Sequence, residues 1–214
     1  MSAEMHGIQL IERVIERVAR HGLGTIDAPA LTNPVPVATD AVARLRLPGG
    51  RPLPPSLQRW LAFDGSWLAG LGWFESPQDP VLDGQSLGAA TTQMYGFTEQ
   101  DDAWVDMFAT FEMLLPERCF PLVGGSDSRR LLYAGQPDST GEYPVLVTDI
   151  DDLPYVAVMY PGLDVYLAEL TGVTDLDFST YTSLIEHPTY GARMQEHATL
   201  TGLGPDGKDI QDLY

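Results

Sequence analysis

Cysteine and basic residues are both scarce in this sequence. The single cysteine, Cys119, leaves no partner for an intramolecular disulfide, so burial has to hold the fold together, and a reducing, cytoplasmic compartment is expected. Against 30 Asp and Glu there are only 12 Lys and Arg, a formal net charge of -18. A surface that acidic repels nucleic acid and anionic lipid and speeds encounter with a basic protein. No run of about 18 apolar residues, the length a helix needs to cross a bilayer, occurs anywhere. The opening segment MSAEMHGIQLIERVIERVARHG carries charges throughout, where a secretory signal has an uninterrupted apolar stretch. His6, His21, His187 and His197 are scattered, with no i,i+4 pair and no accompanying cysteines, so neither a metal centre nor any other cofactor is expected. The run Gly124-Gly125-Ser126-Asp127-Ser128 lacks the closing glycine of a nucleophile elbow and the Lys-Ser/Thr of a phosphate loop. The reading is therefore of a binding protein rather than an enzyme.

Apolar residues make up 44% of the 214, enough for a sizeable core in one domain. The charge is regional. Residues 1–75 hold seven acids and seven bases, leaving 23 acids against five bases for the rest.

Periodicity divides the chain further. Residues 8–20 place Ile8, Ile11, Ile15 and Val18 on one stripe of a helix that His21-Gly22 ends. Ala41 to Leu47 alternates like a short strand within a loop-rich stretch. In Leu53 to Gly65, prolines set a first turn, apolar residues recur at three and four, and glycine closes a helix. Ser66 to Phe74, aromatic and studded with glycine, reads as a strand. Thr98 to Leu115 opens with a threonine cap and an acidic turn, as an amphipathic helix would, and Pro116 stops it. Cys119 to Val123, Arg130 to Ala134, Tyr143 to Thr148 and Tyr155 to Met159 are short β-favouring runs whose brief connections require antiparallel pairing. Gly162 to Leu170 reads as a closing helix. From Val173 on, weak helical signals at Tyr181 to Ile185 and Ala192 to Leu200 suggest an appendage. The expected fold is α+β: an antiparallel meander with helices packed on one face.

Three segments in this order resemble the SMI1/KNR4 family of the SUKH superfamily. They are Leu53-Pro54 through Gly65, Phe120-Pro121-Leu122-Val123-Gly124-Gly125-Ser126-Asp127-Ser128, and Gly141-Glu142-Tyr143-Pro144-Val145-Leu146-Val147-Thr148-Asp149 followed by Tyr155 to Leu170. The resemblance spans about residues 50–172, within a domain of 1–172 that includes the 8–20 helix, and leaves 173–214 as a C-terminal extension. It implies a SUKH-like fold. It also implies an immunity protein that neutralises a cognate bacterial toxin domain, such as a nuclease, whose cationic cleft would be filled by carboxylates.

The carboxylates that would make such contacts are Glu99, Asp101, Asp102 and Asp106 at the start of the Thr98 helix, Asp127 in the glycine-rich turn, and Asp149, Asp151 and Asp152 in the acidic turn. Each has a plainer reading. Acids at a helix start complement its dipole, and Asp in turns bonds nearby backbone amides. Close carboxylates can also take a divalent cation, although no calcium loop with a closing glutamate is present. Trp60, Trp67, Trp73 and Trp104 read as core, with one of them a possible interface anchor. The rival classes are an enzyme or small-ligand protein with its pocket between the sheet and the 98–115 helix, and a signalling or scaffold adaptor.

Overall fold

The computed structural model describes residues 6–23, 31, 33–82, 118–124, 128–149 and 155–197, with the backbone alone of residues 148–149 and 155–156. Helix α1 (Gly7–His21) buries Leu10, Ile11, Val14, Ile15 and Val18. Ile8, expected on that stripe, is 51% exposed instead. The buried arc is centred one position round the helix, where the pairs 10/11 and 14/15 share the inner face. Gly22 ends the helix at φ 70, a conformation open to glycine, with its N–H bonded to the Val18 carbonyl at 2.8 Å.

The Ala41 to Leu47 segment does not form a strand. Thr39–Arg44 is a helix, α2, with Asp40 in its first turn bridged to Arg44 in its last at 2.8 Å. The apolar alternation is coincidental there: Val42 and Leu45, three residues apart, are buried together on one helical face. Helix α3 (Pro55–Leu61) forms as expected, with Pro55 in its first turn and Leu57, Trp60 and Leu61 buried.

Ser66 to Phe74 is also not a strand, because Ser66–Gly70 is a short helix, α4. The deciding residue is Asp64, fully buried, which accepts the Trp67 N–H at 2.9 Å, the Ser66 hydroxyl at 2.6 Å and the Val35 N–H at 2.8 Å. A carboxylate three residues ahead of an otherwise orphaned N–H starts a helix turn whatever the β-propensity of the aromatics that follow.

The four strands are β1 (Cys119–Leu122), β2 (Ser128–Tyr133), β3 (Val145–Asp149) and β4 (Tyr155–Tyr160), hydrogen-bonded in the order β1-β2-β3-β4 with every neighbour antiparallel. The chain is therefore an α+β protein built on an antiparallel meander. Leu131 and Leu132 point to opposite faces and are both fully buried, so the middle of the sheet is open on neither side. Trp73 fixes β1 from outside the sheet: its ring centroid lies 4.9 Å from that of Phe120 and its Nε1–H donates to the Pro121 carbonyl at 2.7 Å.

Helix α5 (Leu163–Leu170) closes the meander and packs against α1, α3 and β4. Six consecutive positions from Leu163 to Ala168 are buried, so it is enclosed on all sides. Tyr166 meets Tyr160 of β4 edge to face at 5.5 Å and donates its hydroxyl to the Val123 carbonyl at 2.8 Å.

Up to His197 the segment beyond Val173 is not an appendage. Phe178 packs on Tyr160 at 5.4 Å, and Leu184, Tyr190 and Met194 are buried in the common core. Its two helical signals correspond to a 3-10 turn at Ser183–Glu186 and to helix α6 (Gly191–Glu196). Among the described residues no helix is long and apolar enough to cross a membrane.

Candidate functional site

The register of the meander determines where its acidic connections attach. Ser128 pairs with Asp149, and Asp149 with Tyr155. The connection that carries Asp127 and the one that carries Asp151 and Asp152 therefore join their strands at the same end of the sheet, opposite the β2–β3 connection. Asp149 is the last residue of β3 at that end. Asp127, Asp151 and Asp152 themselves lie outside the described residues, as do Glu99, Asp101, Asp102 and Asp106 and the helix expected over Thr98 to Leu115.

At the opposite end the structure assembles a buried ionic network with no counterpart in the sequence reading. Asp138 and Glu142 come from the β2–β3 connection, Asp164 from the first turn of α5, Arg193 from α6, and Ser56 from the first turn of α3. Arg193 donates Nε to Asp138 Oδ2 at 2.6 Å, Nη1 to Asp164 Oδ2 at 2.9 Å and Nη2 to Asp164 Oδ1 at 3.1 Å. The paired donors to Asp164 form the two-pronged contact that a planar guanidinium makes with a carboxylate. Asp164 Oδ2 also accepts the Gly7 N–H at 2.8 Å, which ties the start of α1 to α5. Gly162 has no side chain for a geometric reason: a Cβ there would lie 2.5 Å from Asp164 Oδ1, 2.6 Å from Arg193 Nη2 and 2.8 Å from the Glu142 Cβ.

Glu142 is fully buried, and its Oε1 accepts the Ser56 N–H at 2.8 Å while Oε2 lies 2.5 Å from the Ser56 hydroxyl. Burial first, and then the negative charge of Asp164, push its carboxyl up to about 8, so at neutral pH it holds a proton and either oxygen of the short contact can donate. Burial opposes the charge on Asp138, but Arg193, the Thr140 hydroxyl and the Glu142 N–H outweigh it and hold Asp138 below the usual carboxylate range. Burial likewise opposes the charge on Arg193, and the two aspartates overcome it. His197 is lowered by burial, against the pull of the Pro161 carbonyl and Asp138, and is neutral at pH 7 with Nε2–H donating to Pro161 O at 2.8 Å.

A serine hydroxyl against a carboxyl invites comparison with a nucleophile and its base. Ser56, Glu142 and Asp164 have no exposed surface, however, so a substrate has no approach to them. The network works as a fastener between four helices and a connection of the sheet. The one signal for it in the sequence is Asp164, two residues after Gly162, an acid in the first turn of a helix whose only other charge is Glu169.

Two open grooves are formed by described residues. One, of about 270 Å³, is bounded by α2 and residues 79–82, and the other, of about 230 Å³, by α1 and the end of α5. The pocket that the rival reading places between the sheet and the 98–115 helix falls outside the described residues. Among the described residues no group of three or more His, Cys, Asp or Glu could hold a metal ion. Cys119 is buried in the core, as are Trp60, Trp67 and Trp73, while Trp104 lies outside the described residues.

No protein-family model matches the chain, and no curated protein matches it. A solved structure does. The crystal structure of an uncharacterized protein from Salmonella enterica subsp. enterica serovar typhimurium str. 14028s superposes with a TM-score of 0.53 at 16% identity, covering 88% of this chain and 89% of that one. The likeness is one of fold, and it runs through nearly the whole of both chains.

Proposed function

We propose that this chain is an immunity-type binding protein of the SMI1/KNR4 kind, which neutralises a cognate toxin domain in the cytoplasm by presenting carboxylates to its cationic site. The observation that carries the reading is the pairing of Ser128 with Asp149 and of Asp149 with Tyr155, which attaches the Asp127 and Asp151–Asp152 connections to one end of a sheet. Carboxylates fixed to a rigid element lose little freedom on binding, so they can compete with phosphate for a basic cleft and can steer the encounter. The order of the family-like segments supports the same reading, since helix, meander and closing helix follow one another in the structure as they do in sequence. The chemistry of the described interior favours a binder over a catalyst, because its one constellation of acid, hydroxyl and guanidinium is sealed from solvent.

The test is to identify the toxin domain from the neighbouring reading frames and to co-express it with this chain. The wild-type chain restores growth, and the quadruple Asp-to-Asn variant at Asp127, Asp149, Asp151 and Asp152 does not, although it keeps the wild-type unfolding midpoint. Purified, the pair associates more slowly as salt rises. Undiminished protection by the quadruple variant, or an association rate indifferent to ionic strength, sinks the proposal.

A further inference from the structure

The cations of this acidic chain are unevenly matched. Arg59 is paired with Glu12 at 2.6 Å, Arg44 with Asp40 at 2.8 Å, and Arg193 with Asp138 and Asp164. On the outer face of α1 the pattern changes. Arg13, Arg17 and Arg20, at i, i+4 and i+7, line one groove together with His21 and the Gly172-Val173 turn, and the only acid in its lining is Glu16. Arg20 reaches Glu16 at 3.8 Å, a loose contact between two exposed side chains, and Arg13 has no ion-pair partner among the described residues. Arg17 is held differently: its Nε donates to the Thr171 carbonyl at 3.3 Å, a contact that takes one of its five N–H donors.

Like charges one turn apart repel by a few tenths of a kcal/mol in an isolated helix. The helix dipole accounts for Arg20 and His21, which sit in the last turn, but its effect fades within that turn and does not extend to Arg13 and Arg17. Glu169, in the last turn of α5, does not line the groove and accepts the Tyr160 hydroxyl at 3.3 Å. Among the described residues the lining therefore carries more positive than negative charge, on a chain of net charge -18.

We propose that this groove is a binding site for a compact polyanion, a small molecule with two or three phosphate or carboxylate groups. Guanidinium edges bind either group through paired hydrogen bonds, so phosphate and carboxylate share the recognition chemistry. Size selects the compact form: about 230 Å³ lies below the usual range of ligand sites, and an extended polyanion would reach beyond the groove on a chain of net charge -18. The site is separate from the acidic end of the sheet, and it stands or falls independently of the toxin-binding reading.

The experiment is calorimetric titration of the full chain at low ionic strength with pyrophosphate and, separately, with citrate, against sodium chloride matched for ionic strength. Saturable one-to-one binding is expected for at least one of the two anions, and which of them binds more tightly identifies the group preferred. The Arg13→Gln, Arg17→Gln double variant should weaken it at least tenfold, and Arg46→Gln, outside the groove, should leave it unchanged. Both variants alter exposed side chains, and a circular-dichroism spectrum identical to wild type confirms that α1 persists. Heats no different from those of sodium chloride, or equal affinity in the double variant, overturn the proposal. So does tenfold tighter binding of a DNA duplex or of a glutamate-rich peptide than of either small anion.

Discussion

Arg193 Nη1 donates to Asp164 Oδ2 at 2.9 Å, and the same oxygen accepts the Gly7 N–H at 2.8 Å, so one carboxylate joins the last described helix to the first. Both side chains are buried, and Arg193 spends two further donors on Asp138 and on the second oxygen of Asp164. Charges removed from water in this way stabilise a fold only while all partners are present.

Removing the cation exposes that dependence. Arg193→Ala leaves Asp138 and Asp164 buried without a counter-charge, and urea unfolding should show a loss of about 3–5 kcal/mol. Arg44→Ala, which breaks only the exposed pair with Asp40, should cost less than about 1 kcal/mol. Similar losses in the two variants would show that the buried network carries no special weight.

The protonation of Glu142 gives the fold a pH dependence of definite sign. Its folded value is raised from 4.5 to about 8, so its contribution is complete below pH 4.5 and is lost as pH rises through 8. His197 acts in the opposite sense: its folded value is lowered from 6.5, so stability is lost as pH falls below 6.5. Of the two, Glu142 dominates between pH 6.5 and 8, and the unfolding midpoint should fall across that window. In Glu142→Gln it should stay level. A wild-type midpoint that is flat or rising from pH 6.5 to 8 contradicts the assignment.

Trp73 offers a test of how β1 is held. Trp73→Phe keeps an aromatic ring beside Phe120 but removes the Nε1–H that reaches the Pro121 carbonyl at 2.7 Å. An unpaired buried carbonyl together with the lost volume should cost about 2–4 kcal/mol in denaturant unfolding. A loss below about 1 kcal/mol would mean that another donor reaches Pro121.

Asp64 is the counterpart for the helical layer. Asp64→Ala strips the acceptor from the Trp67 and Val35 amides and from the Ser66 hydroxyl, and about 2–3 kcal/mol of stability should go with it. Asp64→Asn, which retains one acceptor oxygen, should recover part of that loss. If the asparagine variant is no better than alanine, the carboxylate's role is not that of an acceptor.

Much of the fold was legible because the deciding forces were local. The 3.6-residue period of α1, the prolines ahead of α3, and the four β-favouring runs joined by brief connections each specify an element from neighbours in sequence. The strand readings at Ala41 to Leu47 and Ser66 to Phe74 failed for different reasons: Val42 and Leu45 are buried together on one helical face in the first case, and the Asp64 carboxylate accepts the Trp67 amide in the second. Ile8 went to solvent because the face of a helix that is buried depends on what packs against it, here α3 and α5.

Sequence by itself determined that this is an acidic α+β chain with an antiparallel meander, since charge is additive over residues and strand order follows from connection length. The fate of individual polar residues was settled only by tertiary structure. Ser56, Asp138, Glu142, Asp164, Arg193 and His197 are spread over more than 140 positions and carry no common spacing. Their meeting depends on how α3, α5, α6 and the β2–β3 connection pack, and the cost of burying an ion is met only by partners that packing brings within hydrogen-bond reach.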